Sequence, residues 1–329
     1  MKRLLQSAFH SAGGLTPFRL LQRAGLRILV YHRFSGQVPD VQAALSRQCD
    51  YIRRHYRPMA LGAAAGHLEE QRAFPARALA VTVDDGYRDF FDCAYPVFQK
   101  FGIPVTVFLT TGFLDRECWL WIDQVRYLFE HAINRAELPS PPFPGECRMD
   151  TSEQRSRSAK AVKEAMKRLP NAERLWLLAA LPDLLGARLP DSIPESCAPL
   201  TWDEVRLMRR HGIEFGAHTV THPILAAISN EAEVRGELAR SKARIEEELQ
   251  ESVWHFAYPN GRREDIPDFA RKAALAEGFR TAVTTQYGQV NPRDDRFLLK
   301  RMVVEPDLPE FWFEEILEMF RPEAKGIAC

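Results

Sequence analysis

The chain has 329 residues, enough for one large domain or two ordinary ones, and its 46% hydrophobic and 27% charged residues are an ordinary globular composition. Its 44 Lys and Arg balance 44 Asp and Glu, so nothing in the charge asks for a nucleic-acid or membrane-surface partner. The six cysteines, Cys49, Cys93, Cys118, Cys147, Cys197 and Cys329, lie far apart without a C-x-x-C pair, which argues against a disulfide framework and a thiolate zinc site.

Residues 1–26 open with Lys2 and Arg3, as a signal peptide would, but Gln6, His10 and Gly13-Gly14 interrupt the apolar run. Leu4, Leu5, Phe9, Phe18, Leu20 and Leu21 predict a short amphipathic helical segment, which docks on the domain or makes a peripheral membrane contact. No stretch approaches roughly eighteen apolar residues, so no membrane span is expected and the chain reads as cytoplasmic.

From residue 27 to 329 the pattern is one domain. Short apolar runs predict strands at 27–31, 79–83, 104–109, 213–217, 253–258, 280–283 and 297–304. Helical patterns fall between them, at 40–54, 90–101, 201–211, 230–251 and 266–277. The fourth is heavily charged and predicts a mainly solvated face, Glu237 included. Alternating strand and helix means an α/β fold with a mostly parallel sheet, and for seven such strands a closed or nearly closed barrel is the simplest form.

One region, about 119–200, departs from this rhythm. Trp119 to Asp123 leads into a helical stretch, a proline-rich loop follows at 139–145, and two helix-prone segments, 153–168 and 172–185, complete it. It predicts a helical insertion, either a lid or substrate wall over the active face or a peripheral appendage.

The strand at 79–83 ends in Asp84-Asp85-Gly86. Asp-Gly is common turn chemistry, yet two adjacent carboxylates repel unless a cation lies near. In barrels of this kind the chemistry sits at the C-terminal ends of strands. A second strand ends in His218-Thr-Val-Thr-His222-Pro223. On a helix or, as Pro223 favours, in a loop, this spacing can bring two imidazoles to one ion. Two imidazoles and one carboxylate make a three-ligand divalent-metal site with open positions, leaving the neighbouring Asp to take a proton in metal-assisted hydrolysis.

Together, V-T-V-D-D-G at 81–86, H-T-V-T-H at 218–222 and F-A-Y-P-N-G at 256–261 resemble the polysaccharide deacetylase family, the carbohydrate esterases that remove acetyl groups from glycans. The resemblance spans about 27–305 apart from the insertion, and also rests on I-L-V-Y-H-R at 28–33, G-I-P-V-T-V-F at 102–108 and L-T-W at 200–202. It implies a distorted (β/α) barrel of about seven strands and a glycan substrate. It implies that Asp84 is the general base and that Asp85, His218 and His222 hold zinc or another divalent ion such as cobalt or nickel. It further implies that Asn260 offers a backbone N–H to the oxyanion, that Tyr258 and Pro259 wall the groove, and that Thr219 and Thr221 brace the histidine loop.

Two features depart from the family pattern. The third motif has Ala257 where relatives carry an arginine that orients the base, and 298–303 lacks the usual general-acid histidine. His32, ending the first strand, is the candidate acid, and its alternative is a strand-capping histidine; Asp84 could also return the proton it takes. Arg301 is a candidate replacement for the missing arginine. Two further readings remain, a deformylase or other amide hydrolase of the same family and a non-catalytic glycan-binding barrel. The sequence leaves the oligomeric state open.

Overall fold

A computed structural model of the protein describes residues 25–34, 40–133, 136–137, 146–147 and 149–319. The expected N-terminal segment, the proline-rich loop and Cys329 lie outside these residues. In chain order the first half contains β1 (Leu26–Tyr31), α1 (Val41–His55), β2 (Arg57–Pro58), α2 (Leu61–Glu69), β3 (Ala78–Val83), α3 (Tyr95–Phe101), β4 (Val105–Leu109) and α4 (Thr111–Leu114). Next come α5 (Trp121–Glu130), β5 (Ala136–Glu137), β6 (Glu146–Cys147), α6 (Ser152–Met166) and α7 (Asn171–Leu185). The remainder is α8 (Trp202–Arg210), β7 (Glu214–Ala217), α9 (Glu231–Leu249), β8 (His255–Ala257), α10 (Asp268–Ala276), β9 (Thr281–Val283), β10 (Met302–Val303) and α11 (Glu310–Met319).

The strands β10, β1, β3, β4, β7, β8 and β9 lie side by side in that order, all parallel, with β2 added to β3. Both faces of a parallel sheet are covered, which is why β1 and β3 are apolar apart from Arg27 and Thr82 and are buried throughout. The sheet curls until its edges meet. Leu299 bridges Val283 of β9, and three residues after Leu299 the chain enters β10, which pairs with β1. This is the distorted (β/α) barrel of about seven strands.

Period-two alternation divides the strand side chains. Leu29, Val81 and Val83 belong to the large core shared with the helices, whereas Ile28, Ala78, Ala80, Phe108, Ala257, Val283 and Leu299 form a separate cluster. Asp84 continues the row of Ala78, Ala80 and Thr82 in that alternation.

Several elements differ from the sequence expectation. The helix expected at 90–101 opens with a π-helical turn, Phe90–Ala94, before α3. The strand expected at 297–304 narrows to β10, because the preceding residues bond individually to β9 rather than as a ladder. A short antiparallel pair, β5 and β6, occurs in the region expected to lack strands. On α9 the expected solvated face is corrected at Glu237, which is 5% exposed. The helices α2 and α11 were not foreseen.

The segment between β4 and β7 builds its own small core. Val125, Leu128 and Phe129 of α5 pack on Val162 and Met166 of α6 and on Leu177, Leu181 and Leu185 of α7. Thr151 and Gln154 form a capping box that starts α6, and Thr201 and Glu204 form another that starts α8. Among the described residues no helix is long and apolar enough to cross a membrane.

Candidate metal centre and catalytic cavity

The acid pair is both a turn and a site. Gly86 N–H donates to the Asp84 carbonyl at 3.0 Å, closing a tight turn in which Asp85 and Gly86 adopt φ of 75° and 88°. Glycine tolerates that conformation, whereas for Asp85 it is uncommon. Thr219, His222 and Asn260 also take positive φ, at 66°, 55° and 57°. Such backbone persists only where surrounding contacts over-determine it, and here it clusters around one cavity.

That cavity, of about 400 Å³, opens at the C-terminal ends of the strands and is lined by His32, Asp84, Asp85, His218, His222, Tyr258 and Asn260. Pro259 is buried and is not part of the lining. A second cavity of about 530 Å³ shares Glu164, Lys167, Ile224 and Asn260 with the first, so the two form one extended cleft.

Asp85 Oδ1 lies 3.4 Å from His218 Nε2 and 3.4 Å from His222 Nε2. All three groups are buried, and their candidate ligand atoms lie within 4.8 Å of one another. Two ligands about 2.0 to 2.1 Å from a tetrahedral ion are separated by roughly 3.3 Å, so the spacing suits a divalent cation. Asp85 Oδ1 accepts no hydrogen bond among the described residues, and an orphaned buried carboxylate oxygen is what a cation would satisfy. His218 Nδ1 bonds the Ala257 carbonyl at 2.7 Å, which as a donor leaves Nε2 as a lone-pair ligand. The donor set therefore fits zinc or a related ion.

Electrostatics agree with this arrangement. Burial pushes His222 down to about 3, leaving a neutral imidazole. Burial also lowers His218, but the Asp85 contact and the Asp84 and Asp85 charges more than offset it, so its pKa is raised. Burial would raise Asp85, yet the two imidazoles hold it below the usual carboxylate range.

Asp84, 2% exposed, does not point to the same partners. Arg301 Nη1 and Nη2 donate to its two oxygens at 2.7 and 2.6 Å, a paired fork. The guanidinium is itself fixed, with Nη1 on Thr82 Oγ1 at 3.1 Å and Nε on the Thr284 carbonyl at 2.8 Å. Burial pushes Asp84 up and Arg301 pulls it down further, leaving the carboxyl below its ordinary value. Arg301 thus stands on Asp84, where the third motif offers only Ala257. His32 Nε2 is 3.9 Å from Asp84 Oδ2.

The loop carrying the histidines has an anchor that sequence reasoning missed. Glu237 of α9 accepts Val220 N–H at 2.8 Å, Thr221 N–H at 2.9 Å and Thr221 Oγ1 at 3.1 Å. Thr219 Oγ1 accepts His222 N–H at 3.1 Å.

A parallel barrel with a buried Asp-His-His set and a guanidinium-held aspartate at its strand ends defines a class, barrel proteins with a candidate mononuclear metal centre. Comparison with known proteins narrows the class. The family model described as polysaccharide deacetylase matches residues 71–282, more than half of the chain, and the protein belongs to that family of hydrolases of carbon–nitrogen bonds. The Bacillus subtilis protein YxkH, provisionally described as a polysaccharide deacetylase, is 27% identical over 117 residues, 34% of this chain and 41% of that relative. Two solved structures share the fold at 18% identity. The Streptococcus pyogenes deacetylase PplD in complex with acetate gives a TM-score of 0.58, covering 91% of this chain and 99% of that one. IcaB from Ammonifex degensii gives 0.59, covering 91% and 98%.

Proposed function

We propose that the protein is a metal-dependent hydrolase that removes an acetyl group from an N-acetylated sugar of a polysaccharide, oligosaccharide or lipid-linked glycan. The observation that carries the reading is Asp84, ionised and locked by Arg301, beside the Asp85–His218–His222 set. Asp85, His218 and His222 would hold the ion. A bound divalent ion would supply Lewis acidity and bring the pKa of water within reach of a carboxylate.

The chain's own residues account for the rest. Asp84, whose carboxyl sits below its ordinary value, takes the proton of the attacking water, and Arg301 keeps both of its oxygens in place during the transfer. Asn260 N–H, which has no acceptor among the described residues, is the oxyanion donor. Tyr258 walls the cavity beneath the sugar. The leaving amine takes its proton from His32 or from Asp84, which received one. The extended cleft suits more than one sugar residue.

The test is acetate release from N-acetylglucosamine oligomers, with metal content measured on the same samples of wild type, Asp84→Asn and His218→Ala. Release that disappears in Asp84→Asn with metal retained supports the reading. Retained metal with no acetate release from any N-acetyl sugar would turn it toward formamides and other amides.

A further inference from the structure

One face of α6 is turned to the site. Ser156, Ala159, Lys160, Lys163 and Lys167 recur at three- and four-residue spacing, which keeps side chains on one side of a helix, and all five line the catalytic cavity. Lys167 is held by Glu164 at 2.7 Å, and Arg126 of the neighbouring α5 by Asp123 at 2.9 Å. Lys160 and Lys163 have no carboxylate partner among the described residues. Lys160 is exposed; Lys163 is half-buried, and burial lowers its pKa, with Arg126 and Lys167 adding to that effect against the pull of Asp123 and Glu164. A cation withdrawn from water without a partner is relieved by an anion.

We infer that Lys160 and Lys163 seat an anionic group of the glycan, a phosphate ester or a uronate carboxylate, while the acetamide lies at Asp84 and Asp85. The inference rests on the deacetylase reading for the placement of the sugar. An ammonium group is a compact point charge that binds such oxygens without demanding a fixed fork. Two lysines about one helical turn apart, roughly 5 Å along the axis, can share one phosphate or span a diphosphate. The seat is on the insertion, so the barrel supplies the chemistry and the insertion supplies the selection for charge.

The test is titration calorimetry with metal-loaded wild type and the double variant Lys160→Ala/Lys163→Ala. The probes are N-acetylglucosamine 1-phosphate, an N-acetylglucosaminyl–glucuronate disaccharide and the neutral N-acetylglucosamine dimer. At least one anionic sugar should bind about tenfold more tightly than the neutral dimer, the worth of one charge-assisted contact. The preference should shrink with added salt and vanish in the double variant, with neutral binding unchanged. Tighter binding of the phosphate assigns a phosphate ester, and tighter binding of the uronate a carboxylate. Equal affinity for all three probes overturns the inference, as does an anion preference that survives in the double variant. His218→Ala separates the lysines from the metal centre, because a preference lost there belongs to the ion and overturns the seat. If no sugar releases acetate while the lysine-dependent preference stands, the deacetylase reading fails and the anion seat does not.

Discussion

Asp84 and Asp85 are held at the end of β3 by a backbone turn and a buried guanidinium, whereas Lys160 and Lys163 hang from one face of α6 into the same cavity. The first region spends strain and burial to fix a geometry. The second, with a small core of its own, spends less, since Lys160 is exposed and Lys163 only half-buried, and neither is fixed by a carboxylate among the described residues. A rigid rim suits proton transfer, where sub-ångström placement matters, and a looser wall suits recognition of a group whose position varies between glycans.

Variants sharpen this contrast, and the largest effects belong to the rim. Asp85→Ala and His218→Ala should lose the ion and lower kcat/KM by roughly 10³-fold or more, read as metal content and acetate release. Unchanged metal stoichiometry in both would refute the site. Arg301→Ala leaves Asp84 buried without its counter-charge and should cost about 3–5 kcal/mol of stability by denaturant unfolding, much of it restored in the double variant Asp84→Asn/Arg301→Met.

The same pair sets a pH dependence. Asp84 is held below its ordinary carboxylate value in the folded chain. The stability it contributes is therefore present above that ordinary value and lost as pH falls through the lower, folded value. In Arg301→Ala the acid limb of the activity profile should move to higher pH, and an unmoved limb would separate Arg301 from the base. Glu237→Gln should weaken metal affinity by about 10–100-fold through the loosened histidine loop, less than loss of a ligand. At the small end, Trp176→Ser on the insertion, where the indole is 72% exposed, should change stability by about 0.5 kcal/mol or less.

The parts of the site that are contiguous in sequence were legible there. Asp-Asp-Gly and His-Thr-Val-Thr-His each end a strand, and the strand-then-helix rhythm that places them on one rim also gives the barrel. Arg301 was harder, because it reaches Asp84 across 217 positions and only its place near the last strand hinted at it. Glu237 was misread for a physical reason. Its helix is charged nearly all round, so composition makes every acid look solvated, and the partners of this one are two backbone N–H groups and a hydroxyl on a distant loop, which leave no trace in the spacing along the helix. For α6 the sequence shows a basic helix, but the side on which the cavity lies is decided by how α5 and α7 pack against it.

Arg301 also bears on the order in which the molecule becomes competent. Asp84, Asp85, His218 and His222 are all in the chain by residue 222, but the guanidinium that lets Asp84 stay ionised in its buried setting comes with the final strand. A chain stalled before that strand would carry an acid with every reason to hold its proton. Closing the barrel and securing the charge on Asp84 are thus one event.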